Sequence, residues 1–149
     1  MRRCRGRLGV AVLNGRLYVL GGFDSSVRLK SAECFDPTTN CWSPIASMSY
    51  ARSAPACTAM DGRFILVFFV MVHFLNKKIF RLYVCGGNNG KNNVLSSCES
   101  YEPKTDSWSP LPNMTRARAA AAATCFAGRL YVTGGFDVVQ QFFNSVEVS

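Results

Sequence analysis

The sequence has little of what enzymatic and metal-binding sites need. Its 149 residues contain one histidine, His73, and its seven cysteines include no Cys-x-x-Cys pair. Neither a metal site nor histidine-dependent catalysis is therefore indicated. The remaining residues offer no nucleophile with a neighbouring base and no phosphate-binding loop between a strand and a helix. We expect no catalytic residue, no cofactor and no metal.

Acidic residues and long apolar runs are scarce as well. Nine acidic residues stand against 17 basic ones, for a net charge of +8. Seven of the basic residues lie in the first 30 positions, and no basic stripe interleaved with aromatic residues recurs. We therefore expect no nucleic-acid binding. The apolar run at 64–75 is shorter than the about 20 residues that cross a bilayer, so we also expect no membrane span.

What the chain does have is an internal repeat. The phrase GRLYVLGG at 15–22 recurs as GRLYVTGG at 128–135. Four other residues recur in the same order and with the same spacing in the two units. The equivalent pairs are Glu33 and Glu99, Trp42 and Trp108, Met48 and Met114, and Arg52 and Arg118. One unit, from Gly15 to Gly62, is 47 residues long. Self-similarity at a fixed period indicates a repeat architecture.

One copy of the phrase is interrupted. It begins at Gly62-Arg63 and is completed by RLYVCGG at 81–87, so Gly86 follows Gly62 by 24 positions instead of six, an excess of 18. A long surface hairpin would be expected to be polar, whereas this segment is apolar. We interpret residues 64–80 as an aberrant insert, and our hypothesis is an in-frame retained intron. The segment is expected to pack on nothing specific.

Within a unit the pattern predicts four short strands. Apolar runs at 9–13 and 16–20 flank Asn14-Gly15, a signal for a tight hairpin. Strands near 31–35 and at 41–45 follow, separated by the turn sequence DPTTN. The second unit repeats these two strands at 97–101 and 107–111. The chain is therefore predicted to be all-β, with one antiparallel blade per unit.

The cysteines do not suggest a disulfide framework. Their number is odd, and they do not recur at equivalent positions. Cys34 follows Glu33 whereas Cys98 precedes Glu99, from which we predict that the two cysteines point to opposite strand faces. Reduced thiols suit the cytoplasm, and we expect that location.

At these residues the chain resembles the kelch repeat. The signature is the glycine pair, the tyrosine three positions before it, and the glutamate-to-tryptophan segment with its FDP or YEP turn; the tyrosines are Tyr18, Tyr83 and Tyr131. The resemblance implies a partial kelch β-propeller of about two and three-quarter four-stranded antiparallel blades within residues 5–149. The expected blades are about 9–45, about 54–111 with the insert at 64–80, and about 119–149, incomplete. Since propellers close with about four to eight blades, we expect a fragment or an incomplete gene model.

The chain looks most like the kelch domains of the Kelch-like proteins, in which BTB and BACK domains bind a cullin and the propeller captures substrate for ubiquitination. The resemblance implies a non-enzymatic protein-interaction module, the substrate-recognition part of an adaptor for a cullin-based E3 ubiquitin ligase. It would bind a protein or peptide substrate, and a cullin only through domains absent from this sequence. The alternative is an actin-binding cytoskeletal kelch protein. A kelch-fold oxidase would need copper-ligating histidine, and the one histidine lies in the insert.

Residues that recur in every unit should build the scaffold, and residues that differ should confer specificity. We interpret the recurring tryptophans and tyrosines as packing between blades, and the recurring glutamates and arginines as charge partners within and between blades. The loop after the glycine pair differs most, and the resemblance adds the loop after the tryptophan strand. The candidate partner-binding residues are Phe23, Asp24, Arg28, Lys30, Arg52, Asn88, Asn89, Arg118, Phe136 and Asp137. The basic members of this set would suit an acidic peptide.

Overall fold

The computed structural model describes residues 1–61, 80–90 and 93–148. These residues form thirteen β-strands and no helix. Consistently, the described part of the chain contains no helix long and apolar enough to cross a membrane.

The first blade is a four-stranded antiparallel sheet. Its strands, in spatial order, are β1 (Gly9–Leu13), β2 (Arg16–Leu20), β3 (Ala32–Asp36) and β4 (Cys41–Ile45). Asn14 and Gly15, between β1 and β2, have φ angles of 52° and 70°. A two-residue turn with positive φ at both positions matches the twist of the flanking strands, and Asn-Gly adopts it at low cost.

The second blade repeats this arrangement. Its strands, in spatial order, are β5 (Ala56–Asp61), β6 (Phe80–Cys85), β9 (Cys98–Glu102) and β10 (Ser107–Leu111). Between β6 and β9 lies a separate two-stranded ribbon of β7 (Asn88–Gly90) and β8 (Asn93–Val94).

The third blade has three strands in the described part of the chain. These are β11 (Ala122–Phe126), β12 (Arg129–Thr133) and β13 (Val146–Val148), in that spatial order. Two four-stranded antiparallel sheets and one three-stranded sheet confirm the predicted all-β partial propeller.

Strand register shows which arginine of the interrupted phrase belongs to the repeat. In blade 1, Leu13 pairs with Arg16 across the hairpin. In blade 2, the equivalent Met60 pairs with Arg81. Arg81, and not Arg63, therefore occupies the repeat position, and β6 follows the interruption without a shift of register.

The last residue of the predicted insert belongs to the blade. Phe80 pairs with Asp61 as the first residue of β6, and its half-buried side chain packs against the core between blades 1 and 2. The prediction that residues 64–80 pack on nothing specific is therefore wrong at Phe80. Residues 64–79 lie outside the described residues.

The core consists of two apolar clusters, one at each interface between neighbouring blades. Between blades 1 and 2, fully buried Leu13 and Leu20 pack with Leu82 and Val84 of β6. The second cluster, between blades 2 and 3, contains Ala56, Cys85, Cys98, Leu130 and Val132. The hydrophobic effect therefore acts mainly between sheets, since each blade buries its face against the next.

Two of the recurring aromatic residues, Tyr18 and Trp108, connect neighbouring blades. The rings of Tyr18 in blade 1 and Tyr101 in blade 2 have centroids 6.2 Å apart. The Trp108 indole N–H of blade 2 donates to the Ala46 carbonyl, which follows β4, at 2.8 Å. Trp42 packs within its own blade, against Phe35 at 5.1 Å.

The prediction for the faces of Cys34 and Cys98 was wrong. Cys34 lies one position after its glutamate and Cys98 one position before its glutamate, so their equivalent positions are two residues apart. Residues two apart on a strand share a face. Both are buried on the side that packs against the following blade, Cys34 in the first cluster and Cys98 in the second. All seven cysteines are free thiols.

Candidate functional site

A buried arginine anchors each blade to the segment that leads into it. Arg52 is 0% exposed. Its guanidinium donates to the carbonyls of Gly86 (2.6 Å) and Ser97 (2.9 Å) and to the Ser97 hydroxyl (2.9 Å). It also donates to the Glu99 carboxylate at 2.8 Å. A buried charge is tolerated when it is paired and hydrogen-bonded, and Arg52 meets both conditions.

The same network occurs in the other two blades. Arg5 donates to the carbonyls of Gly21 and Ser31 at 2.8 and 2.9 Å and pairs with Glu33 at 2.6 Å. The third set joins Arg118 to Gly134, Ser145 and Glu147. The prediction that the recurring arginines and glutamates pair with each other is confirmed.

Each glutamate is held by a second donor. The other carboxylate oxygen of Glu99 accepts a hydrogen bond from the Ser49 amide at 2.9 Å. Burial raises the pKa of Glu99, but the hydrogen bonds from Arg52 and Ser49 outweigh burial and hold the pKa below its ordinary value. Glu147 follows the same pattern, with the Thr115 amide as donor at 2.6 Å.

These contacts correct the prediction for Arg52 and Arg118. Both side chains are fully buried, and main-chain carbonyls and a carboxylate surround their guanidinium groups. They are not available to bind an acidic peptide, and we withdraw them from the candidate set. Their role is to hold the loops in place.

The glycine pair allows the leading segment to approach closely. Gly21 has a φ of 63°, and a Cβ added there would overlap the Arg52 carbonyl oxygen. That oxygen accepts a hydrogen bond from the Gly22 amide at 2.8 Å. Only glycine combines positive φ with this close contact. Arg52 therefore contacts blade 1 through its carbonyl group and blade 2 through its side chain.

The loop after each glycine pair is fixed at its base. Phe23 and Gly6 exchange two main-chain hydrogen bonds, both 2.8 Å long. The equivalent partners are Asn88 with Ser53 in blade 2, and Phe136 with Ala119 in blade 3. A rigid base with a variable tip is the usual arrangement of a binding loop.

A row of three residues links these loops from blade to blade. Arg7, Ala54 and Ala120 have φ angles of 50°, 51° and 52°. The Ala54 amide donates to the Arg7 carbonyl at 2.6 Å, and the Ala120 amide donates to the Ala54 carbonyl at 2.9 Å. This row was not predicted. Each member stands two positions after a recurring arginine, but neither arginine nor alanine signals positive φ in a sequence, because both usually avoid it.

We call the surface formed by this row and the loops 23–30, 88–90 and 136–144 the loop rim. Two of its candidate residues shape the loops. The Asp24 carboxylate accepts hydrogen bonds from the Val27 and Ser26 amides at 2.8 and 3.1 Å, and these two bonds lower the pKa of Asp24. Asp137 accepts hydrogen bonds from two loop amides in the same way. Such local turns are a common use of aspartate.

The rim of blade 1 is basic. Arg7 and Lys30 are exposed, and the half-buried Arg28 lies over the ring of Phe23, with 5.8 Å from guanidinium carbon to ring centroid. None of these three cations forms an ion pair with any residue in the described part of the chain.

The rims of blades 2 and 3 are amide-rich and apolar, respectively. Asn88 and Asn89 are half-buried in the second loop, and the Asn88 side chain accepts a hydrogen bond from the Gly90 amide at 3.0 Å. In the third loop Val139 and Phe142 are 76% and 80% exposed, and Phe142 meets the ring of Phe136 at 5.9 Å. Within residues 1–61, 80–90 and 93–148, no three His, Cys, Asp or Glu side chains are grouped to hold a metal ion.

The rim therefore offers fixed main-chain bases, cations at one end and exposed apolar side chains at the other. The fold that carries the rim is a series of repeated antiparallel β-sheet blades. The chain matches the kelch motif over residues 4–49, 81–115 and 117–148. It belongs to the kelch-repeat family, whose repeats form a protein-interaction fold, and it is a protein-interaction module.

Relatives from plants and animals cover most of the chain. An F-box/kelch-repeat protein of Arabidopsis thaliana is 32% identical, with 83% of this chain and 26% of the relative covered. Kelch-like protein 35 of Mus musculus is 30% identical (91% and 20% covered). Kelch-like protein 6 of Homo sapiens is 33% identical (89% and 25% covered). The chain thus spans about a quarter of the length of the curated relatives it matches.

Proposed function

We propose that the loop rim binds a carboxylate-bearing segment of a protein. The proposed context is the substrate-recognition part of a Kelch-like adaptor for a cullin-based E3 ubiquitin ligase, acting in the cytoplasm. The observation that carries the binding proposal is the group of Arg7, Arg28 and Lys30 at blade 1, which lack an ion-pair partner among the described residues. Guanidinium groups bind carboxylates through two parallel hydrogen bonds.

The relatives support the adaptor context. Several are named Kelch-like proteins, and others carry an F-box or a BTB domain in their names together with kelch repeats. In this proposal the present chain supplies the recognition surface, and a separate domain supplies the contact with the ligase. The cytoplasmic location fits the seven free thiols.

The binding proposal is tested with peptides. A displayed library of random peptides is selected on the purified 149-residue protein, and the selected sequences are remade with each Asp or Glu replaced by Asn or Gln. We expect the acidic forms to bind more tightly by about tenfold per paired carboxylate, since hydrogen bonds between charged groups contribute about 1.5–3 kcal/mol. Fluorescence polarisation at two salt concentrations measures the affinities.

Matched variants locate the binding surface. Arg7→Ala and Arg28→Ala should each weaken the acidic peptide, whereas Arg129→Ala should not, because the exposed Arg129 begins β12 at the opposite end of the blade from the rim. Equal effects of Arg28→Ala and Arg129→Ala, or no preference for the acidic peptides, would contradict the proposal.

The adaptor context is tested separately from the surface. The protein encoded by the full reading frame is expressed with a tag and examined for co-precipitation of a cullin. Co-sedimentation with filamentous actin examines the cytoskeletal alternative. Cullin association without actin binding supports the adaptor, and the reverse result supports the cytoskeletal role.

A further inference from the structure

Two buried cysteines face each other across neighbouring strands of blade 2. Cys85 is the last residue of β6, Cys98 is the first residue of β9, and the register pairs them directly. They are 1% and 5% exposed and belong to the same cluster between blades 2 and 3. Neither residue takes part in the loop rim or in the arginine network.

The hydrogen-bond pattern shows that the two residues are close enough to bond. The Gly86 amide donates to the Ser97 carbonyl at 3.0 Å, so the neighbouring pair 86 and 97 is a hydrogen-bonded one. Bonded and non-bonded pairs alternate along an antiparallel ladder, which makes Cys85 and Cys98 a non-bonded pair with Cα atoms about 4.5 Å apart. Disulfides span Cα distances of about 4.4–6.8 Å.

The scaffold does not require this thiol pair. In each blade the equivalent pair joins the residue before the glycine pair to the residue before the recurring glutamate. In blade 1 this pair is Leu20 and Ala32. Blade 3 pairs Thr133 with Val146. Only blade 2 brings two sulfur atoms together here, so packing alone does not account for both cysteines.

Other cysteines are poorly placed to compete. Cys57 pairs with Val84, whose side chain belongs to the first cluster, so Cys57 lies on the opposite face of the sheet from Cys85. Cys125 pairs with Leu130 near the hairpin end of blade 3, whereas Cys85 stands at the glycine-pair end of β6. Cys85 and Cys98 are therefore each other's natural partners.

One of the two thiols borders an opening. A cavity of about 150 Å³ between blades 2 and 3 is lined by Cys98 together with Met114, Leu130 and Glu147. A thiolate is the reactive form of cysteine. Because Cys98 lines this cavity and Cys85 is not among its lining residues, a peroxide in the cavity meets Cys98 first, and Cys85 is placed to resolve the product.

We propose that Cys85 and Cys98 are a redox-active dithiol that a hydroperoxide converts to a disulfide between β6 and β9. The Cys98 thiolate attacks the peroxide, the O–O bond breaks, and water or an alcohol leaves, which oxidises Cys98 to a sulfenic acid. The Cys85 sulfur then attacks the Cys98 sulfur, the S–O bond breaks, and water leaves with the thiol proton. In sum two thiols are oxidised and one peroxide is reduced. A thiol reductant such as glutathione reverses the bond by exchange.

The disulfide would form next to the anchor of Arg52. Cys85 directly precedes Gly86, and Cys98 directly follows Ser97, and the carbonyls of Gly86 and Ser97 both accept hydrogen bonds from the Arg52 guanidinium. Asn88 of the loop rim lies three residues beyond Cys85. Oxidation would therefore act at the base of the blade 2 loop.

Peptide mapping tests the proposal directly. Trypsin cleaves after Arg81, Lys91 and Lys104, which places Cys85 in peptide 82–91 and Cys98 in peptide 92–104. The folded, reduced 149-residue protein is treated with hydrogen peroxide, its remaining thiols are alkylated, and the digest is analysed without reductant. We expect a linked pair of these two peptides, about 2 Da lighter than their sum, which dithiothreitol separates.

Controls separate native pairing from chance pairing. Cys98→Ala, which installs the residue that blade 1 uses at this place, should abolish the link and leave Cys85 open to alkylation after unfolding. The 85–98 link should exceed every other cysteine pair by about tenfold in the folded protein and lose this lead in urea, where pairing depends on chain distance. Equal yields of several pairs in the folded protein, or oxidation of Cys98 to a sulfinic acid with no link, would overturn the proposal.

Discussion

Replacing Arg52 by methionine should destabilise the protein far more than replacing an exposed arginine. The substitution keeps most of the side-chain volume but removes four hydrogen bonds, two of them to the carbonyls of Gly86 and Ser97. Among the described residues, Glu99, which is 2% exposed, would keep Ser49 as its donor. Removing one member of a buried pair costs about 3–5 kcal/mol, because the remaining charge is buried without compensation.

The matched control is Arg16→Met. Arg16 pairs with Asp36 at 2.8 Å, close to the distance between Arg52 and Glu99, but its side chain is 53% exposed. Exposed pairs contribute about 0–1 kcal/mol because water competes for both groups. Distance is thus nearly constant across the comparison, and burial is what changes.

Urea unfolding followed by tryptophan fluorescence measures both free energies, with Trp42 and Trp108 as natural probes in the first two blades. The double variant Arg52→Met/Glu99→Leu should recover part of the loss, because it removes the stranded carboxylate. Equal losses for Arg52→Met and Arg16→Met would refute the reasoning, as would a double variant no more stable than Arg52→Met alone.

Three further predictions follow from the same contacts. The pKa of Glu99 is depressed in the folded protein, so Glu99 contributes stability above its unfolded pKa of 4.5. This stability should be lost as the pH falls through the folded pKa. Acid unfolding of the Arg52→Met/Glu99→Leu variant should lack this contribution. Gly21→Ala should cost about 2–4 kcal/mol because it adds a main-chain overlap to an unfavourable φ, whereas Gly15→Ala, with positive φ but open space, should cost about 1 kcal/mol; equal losses would argue against the close approach. Deleting residues 64–79, which leaves Phe80 in β6, should give a folded protein more stable by about 2 kcal/mol, since a shorter connection between β5 and β6 loses less entropy on closure. Thermal unfolding measures this change, and a variant that fails to fold would show that the segment is needed.

The strands were largely predictable because hydrophobic alternation and turn sequences determine them. β1, β2, β4 and β10 lie where the sequence placed them, and β3 and β9 begin one residue later than predicted. The carbonyls of Ser31 and Ser97, the predicted first residues, each accept one hydrogen bond from the first amide of the glycine pair and one from a buried arginine. These serines therefore lie just before the strands and belong to the arginine network.

The candidate site was less predictable because it depends on burial and main-chain conformation. Sequence spacing showed that Arg52 recurs, but it could not show that the guanidinium is enclosed by main-chain carbonyls. The sequence likewise does not indicate the positive φ of Ala54, because alanine usually avoids positive φ. The prediction that Arg52 binds a partner therefore rested on its charge, without knowledge of its burial.

The position of each buried arginine also determines where the chain must be cut if one blade is to be transferred into another kelch protein. Arg52 precedes the first strand of blade 2, yet its guanidinium is bound by Gly86, Ser97 and Glu99 of that blade. A graft that began at Ala56 would carry Glu99 without its cation and would depend on the host for a replacement. A graft that began at Ser49 would bring the cation and the amide that holds the carboxylate. The smallest portable piece of this propeller therefore starts in the connection and not at the strand.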